Sequence, residues 1–424
     1  MLSGTAPFGL RYAVRRNGSS VAYCALSIRC GTRDEAGFPN GIAHFTEHSM
    51  FRGTARKSAA VIGSYLDRLG GELNAYTTKE EIVLHATVLK EDLGKAARLL
   101  FELATEATFP EGEIETERGV VLDEIISYKD NPFEDVYDKF EGLLFKGHPL
   151  GQPILGTTTS VKRITPDDLR RFVRTFFVPE RMAFTVVADL DEKLLERRVF
   201  RLCGQLFGGK ILSPDPQVQN VIPNEDSRVI PNKAKESPWP APFDKTVNKR
   251  NHEVNAVIGG RAPSLYDNED RVTAALLVNI LGGPASNSLL NRELREKHGW
   301  VYGVECNYTQ YADTGIVAIS FGCDKPNLEP CLQALDRILD RLREAPLSER
   351  ALKAAKKQLL GQLAISSDNG EAQCLSMGKS LLSWGRIDTS AETRERIEAV
   401  TPDALQAMAC RLFNPATLSR LIYL

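Results

Sequence analysis

Apolar positions along this chain recur in two rhythms. Short, nearly continuous apolar runs at 21–30, 82–88, 181–188, 254–260, 315–321 and 418–424 predict strands. Helical spacing, with charges on the opposite face, predicts helices over 41–51, 90–105, 165–176, 271–281, 328–343 and 348–365. In 90–105, for example, the apolar positions are 93, 96, 97, 99, 100 and 103.

The rhythms repeat. Strand 21–30, helix 41–51, a Gly-Gly loop and strand 82–88 are echoed by strand 254–260, helix 271–281, a glycine loop and strand 315–321. A proline-rich, unpatterned stretch at 213–244 separates the halves and reads as a linker, with Trp239 and Phe243 expected to pin it to a domain. The division is therefore 1–212, a linker 213–244, and 245–424. The fold class is α+β, with two similar, duplicated α/β domains.

Composition narrows the function classes. The 424 residues carry a net charge of −2, with 42% hydrophobic and 25% charged residues, and no apolar stretch is long enough to span a bilayer. Nucleic acid and membranes are thus not expected partners. Eight cysteines lack C-x-x-C spacing and read as small buried hydrophobes; with no secretory pattern at the start, a cytoplasmic location is expected.

Candidate chemistry concentrates in His44-Phe45-Thr46-Glu47-His48. On a helix, positions 44, 47 and 48 share one narrow sector, so two imidazoles can hold a cation while Glu47 reaches a water on it. In the duplicate helix, 230 positions on, Ala274, Leu277 and Val278 stand at these places. A fold that packs Ala, Leu and Val there has no packing need for His, Glu and His. A third donor is expected after Pro110, where Glu117 and Glu124 lie seven apart on one helix face and Asp123 points about 100° away. His85, His148, His252 and His298 are assigned no role.

These segments resemble the pitrilysin-type inverzincin metallopeptidases, which include insulin-degrading enzyme and the mitochondrial processing peptidase β subunit. G-I-A-H-F-T-E-H-S-M-F-R-G-T is similar to the family's zinc helix, and E-R-G-V-V-L-D-E-I to its third-ligand helix. G-G-E-L-N-A-Y-T-T, G-H-P-L-G-Q-P-I-L-G-T and L-R-E-K-H-G-W-V-Y-G-V follow in the family's order. R-G-T in place of K-G-T, A-S-N-S in place of a serine-rich run, and V-V-A-D-L-D without glycine are departures.

The resemblance implies one Zn2+ per chain on His44, His48 and Glu124, with Glu47 as general base. Glu117 would orient a ligand, Asn74 and Ala75 would lie on a substrate-binding edge strand, and Arg295 and Tyr302 would contact the scissile region. It also implies peptide substrates and a chain that forms half of a clam-shell chamber, completed as a homodimer or as a heterodimer with a paralogous subunit. From the residues alone, Arg295 also reads as a charge on an amphipathic helix, Tyr302 as a core aromatic and Asn74 as a turn residue before a strand. Relatives that act as non-catalytic subunits supply the alternative function; these typically lose the metal set that is intact here.

Overall fold

Two mixed sheets on one plan carry the chain. The computed structural model describes residues 1–207, 239–249 and 252–424. The expected linker residues 213–238 lie outside the described residues. The first sheet contains β1 (Leu2–Thr5), β2 (Arg11–Arg16), β3 (Val21–Ile28), β4 (Glu72–Thr77), β5 (Ile82–Leu89) and β6 (Met182–Ala188), in the order β1-β2-β6-β3-β5-β4. The second contains β7 (Asp244–Val247), β8 (Val254–Ala262), β9 (Val301–Gln310), β10 (Gly315–Cys323) and β11 (Ser419–Tyr423), in the order β7-β11-β8-β10-β9.

With β1 set aside, the two orders superimpose strand for strand. In each sheet the single parallel pair is the corresponding one, β2 with β6 and β7 with β11, and the other pairs are antiparallel. The duplication expected from the sequence is thus a duplication of sheet topology. The apolar strand runs have a direct cause. β6 is buried at every position, and β10 likewise, because both faces of the central strands are covered.

In the first sheet, one face packs on helix Leu93–Glu106 through residues such as Phe101 and Phe184, whose rings are 5.0 Å apart. The other face is covered by helix Gly370–Trp384, which sets Cys374, Met377, Leu381 and Leu382 against Ala13, Ala25, Val83 and Ala183. Small residues on the sheet let that helix approach closely, and Thr185 donates a hydrogen bond to the Cys374 carbonyl at 2.8 Å.

The compact units differ in two segments from contiguous halves. The first comprises the described parts of Met1–Ile126, Gln152–Pro223 and Ile365–Asp388; the second comprises those of Ser127–Gly151, Asn224–Ala364 and Thr389–Leu424. The exchange follows apolar complementarity. Helix Gly370–Trp384 completes the first core, and helix Pro132–Leu144 packs Val136, Phe140 and Leu144 against Val257, Ile316 and Leu421 in the second. Trp239 and Phe243 join this second cluster, with Phe243 5.5 Å from Phe140 and Trp239 5.9 Å from Phe145. One cysteine departs from the expectation of burial: Cys410 is exposed, because it lies on the outer side of helix Pro402–Leu412, where its thiol reaches the Arg343 carbonyl at 3.4 Å.

Leu381 is fully enclosed between helix Gly370–Trp384 and the first sheet. Leu381→Ala is expected to destabilise this unit by about 2–5 kcal/mol. Denaturant titration followed by the near-UV signal measures that loss.

Candidate metal centre

The helix Ile42–Met50, called α1 below, buries all its residues but His48. No side chain at Gly41 can cap it, yet its first N–H groups are satisfied. Glu35, six residues upstream of Gly41, accepts from Gly41 N–H at 2.9 Å and Ala43 N–H at 3.0 Å. Burial pushes the Glu35 carboxyl up to about 8, against the pull of those two N–H groups and of Lys79. Gly41 adopts φ +87°, and a Cβ there would lie 2.8 Å from Gly156 Cα. The glycine pair therefore lets the loop through Ile154 and Leu155 rest directly on the start of α1.

Helical phase brings the His44 and His48 rings to a centroid separation of 4.5 Å. Opposite them, helix Glu111–Asp130 buries Ile114, Val121 and Ile125 and turns Glu117 and Glu124 towards α1. Glu124 Oε2 lies 3.7 Å from His44 Nε2 and 3.5 Å from His48 Nε2. These separations exceed those of good hydrogen bonds, and Glu124 Oε2 is buried without a hydrogen-bond partner. They are close to the spacing of about 3.3 Å between donors that share a tetrahedral ion at about 2.0–2.1 Å.

His44, His48 and Glu124 are the one such donor cluster among the described residues, with donor atoms all within 4.8 Å of one another. Two imidazoles, a carboxylate and room for a fourth donor fit zinc. Asp123 is exposed and outside the cluster, as its helical phase predicts.

The surrounding charges prepare the donors. Burial, then the neighbouring His48, lowers the pKa of His44 to about 3, so this imidazole is neutral and free to bind a cation. For His48, burial acts downward but is outweighed by the hydrogen bond to Glu117 and by the charges of Glu47 and Glu124, which raise its pKa. Glu117 is buried, with Oε1 2.8 Å from His48 Nδ1, and its other oxygen pairs with Arg52. Burial raises the Glu47 carboxyl above the usual carboxylate range, against His48 and Thr77, whose hydroxyl donates to Glu47 Oε2 at 3.0 Å.

A cleft of about 320 Å³ opens on this cluster, lined by His44, Glu47, His48, Glu124, Ala75, Tyr76, Thr77, Ile154 and Leu155. β4 forms its border and the edge of the first sheet, paired with β5 alone. Ala75 lines the cleft, whereas Asn74 is exposed on the same strand. Arg295 and Tyr302 belong to the second unit. Arg295 is exposed on the π-helical turn Asn291–Lys297, and Tyr302, 62% exposed at the start of β9, donates its hydroxyl to Asp324 at 2.8 Å. Tyr302 is thus no core aromatic.

Sequence reasoning missed Glu35, Arg52, Thr77, Ile154 and Leu155. Strand alternation from Ala75 was a signal for Thr77, since residues two apart share a face. The duplicate helix, Asn268–Gly282, buries Ala274, Leu277 and Val278 in an apolar core, so this helix carries no counterpart of the cluster.

Because Glu117 fixes the orientation of His48, Glu117→Gln is expected to weaken zinc affinity about 10–100-fold. Asp123→Asn should leave it unchanged. Competition against a chromophoric chelator measures both.

Comparisons with known proteins bear on family and fold. Residues 11–158 match the model described as insulinase (peptidase family M16), and residues 163–359 match the M16 inactive domain. An uncharacterized zinc protease of Streptomyces coelicolor is 30% identical over 410 residues, covering 96% of this chain and 85% of its own length. The uncharacterized zinc protease YmxG of Bacillus subtilis is 28% identical, covering 97% of this chain and 95% of its own. In fold, the chain is similar to the crystal structure of a protease from Helicobacter pylori, with a TM-score of 0.86, 20% identity and coverage of 100% of this chain and 99% of that one. Two family models in sequence order and a relative at 30% identity over nearly the whole length lead to one conclusion: the chain belongs to the insulinase family, peptidase family M16.

Proposed function

We propose that this chain is a zinc-dependent endopeptidase that cleaves short or unfolded peptides. The observation that carries the proposal is the convergence of His44, His48 and Glu124, with Glu47 beside them, on a cleft bordered by an open strand edge. One Zn2+ held by the three donors would make a bound water acidic enough to serve as nucleophile near neutral pH and would polarise the scissile carbonyl.

In this scheme Glu47 takes a proton from the attacking water and returns it to the leaving amine. Burial raises its pKa, the direction that favours its holding the proton before the amine leaves. Glu117, bonded to His48 Nδ1, would keep the Nε2 side of that ring available to the ion. A peptide adds to the free edge of β4 along Asn74 and Ala75 by main-chain hydrogen bonds, so recognition reads extended backbone more than side chains. Arg295 would donate to the oxygen of the tetrahedral intermediate, and Tyr302 would do so on turning its hydroxyl away from Asp324.

The rival function, a non-catalytic subunit, would not need an intact set of His44, Glu47, His48 and Glu124. No described helix is long and apolar enough to cross a membrane, and the charge balance offers no basic surface excess for nucleic acid.

The metal donors and the Arg295–Tyr302 pair lie in different units. We assign the working form to a homodimer, or a heterodimer with a paralogue, in which one chain's second unit serves the other chain's cleft.

Glu47→Gln should retain about one zinc per chain while losing about 10²–10⁴ in turnover of a quenched fluorescent peptide. Loss of the metal in that variant would place Glu47 among the ligands instead. For assembly, Glu47→Gln and Tyr302→Phe chains mixed under subunit exchange should recover activity. No recovery despite demonstrated exchange contradicts the shared site.

A further inference from the structure

The hydrogen bond from Thr77 to Glu47 has no part in the scheme above. From it we infer that Thr77 is a positioning residue for the general base, and that it ties the base to the strand on which the peptide lies. The inference rests on the reading of Glu47 as that base.

Glu47 is buried, with 8% of its surface exposed, and among the described residues the Thr77 hydroxyl is the sole hydrogen-bond donor to its carboxylate, on Oε2. Among the described residues Oε1 accepts no hydrogen bond. A carboxylate held at one oxygen has its plane fixed and keeps the other oxygen for the proton it must accept. Without the hydroxyl, rotation about the terminal torsion is broad and soft. Thr77 thus sets the angle at which Glu47 meets the water.

The hydroxyl itself stands on a rigid support. Thr77 ends β4 and pairs in register with Ile82 of β5. The turn that follows is closed by Thr78 N–H to the Glu81 carbonyl at 2.8 Å and by the Thr78 hydroxyl, which accepts from Glu80 and Glu81 N–H at 3.2 and 3.0 Å. Arg33 N–H donates to the Lys79 carbonyl at 2.9 Å, and the buried Lys79 ammonium reaches the Gln152 carbonyl at 2.5 Å. The β-branched side chain adds stiffness at χ1.

The consequence is mechanical. β4 is the open edge on which the peptide would pair, and its last residue holds the base. A peptide that fills the strand steadies the same backbone that orients Glu47. Binding energy along the strand is then expressed in the chemical step and not only in affinity.

The test uses Thr77→Val, which removes the donor and keeps the shape, and Thr77→Ser, which restores it. Each full-length variant is compared for kcat and KM on a quenched fluorescent peptide, for zinc content and for thermal midpoint. Thr77→Val should lose about ten- to hundredfold in kcat, with KM changed less than about twofold and zinc and thermal midpoint unchanged, and Thr77→Ser should return most of the loss. Unchanged kcat in Thr77→Val, a change confined to KM, or a Thr77→Ser variant as impaired as Thr77→Val overturns the inference. Glu47→Gln in parallel separates the two claims. If it is inactive while Thr77→Val is fully active, only the role of Thr77 falls; if it remains active, the base assignment falls and Thr77 with it.

Discussion

Two backbone N–H groups pointed at one buried carboxylate hold the centre of this protein in place. The donors are Gly41 and Ala43, at the start of α1, and the acceptor is Glu35. A helix this short gains little from its own hydrogen bonds, so its position must come from what grips it. Glu35 satisfies the first N–H groups of the helix, and the Gly41–Gly156 contact lets a loop close over it. The buried side of α1 packs into the first core through Ile42, Ala43, Phe45 and Met50. With the axis and rotation of α1 fixed in this way, His44, Glu47 and His48 have little freedom left, and helix Glu111–Asp130 completes the donor set.

Duplication explains why the same scaffold supports such chemistry once. Both sheets share one strand order, and both place a helix between the third strand of that order and its outer hairpin. In the second unit that helix is sealed by Ala274, Leu277 and Val278; in the first, the same face gives up apolar packing for polar groups that bring a desolvation cost. The cost is visible in the lowered pKa of His44 and the raised pKa of Glu47, whose largest cause in each case is burial. A bound cation would offset it, since it would partner the Glu124 oxygen that is buried without a hydrogen-bond partner.

Much of this was legible in the sequence, for physical reasons that differ by element. Central strands such as β6 and β10 are buried on both faces and so appear as unbroken apolar runs. β1 and β2 were missed because they lie at the sheet margin, where Leu2–Thr5 is largely exposed and Arg11–Arg16 ends in exposed arginines. Helix Gly370–Trp384 was missed because its buried face mixes Cys374, Met377 and Gly378 with two leucines, a weak periodic signal. At the site, helical phase alone was enough for His44, Glu47 and His48, and a seven-residue spacing for Glu117 and Glu124. Glu35 and Arg52 act across loops, so no local period announces them, whereas the two-residue alternation of β4 was the one signal for Thr77. Arg295 and Tyr302 came from family resemblance, and the sequence alone did not reveal that the Tyr302 hydroxyl donates to Asp324.

The central claim is that one zinc ion sits on His44, His48 and Glu124 with Glu47 beside it and unbonded. Diffraction from crystals of the native protein, collected on both sides of the zinc absorption edge, tests this directly. The account predicts a single anomalous peak per chain, about 2.0–2.2 Å from the two Nε2 atoms and the Glu124 carboxylate, with Glu47 beyond bonding distance. A peak elsewhere in the chain, or one with Glu47 in the coordination shell, would contradict it.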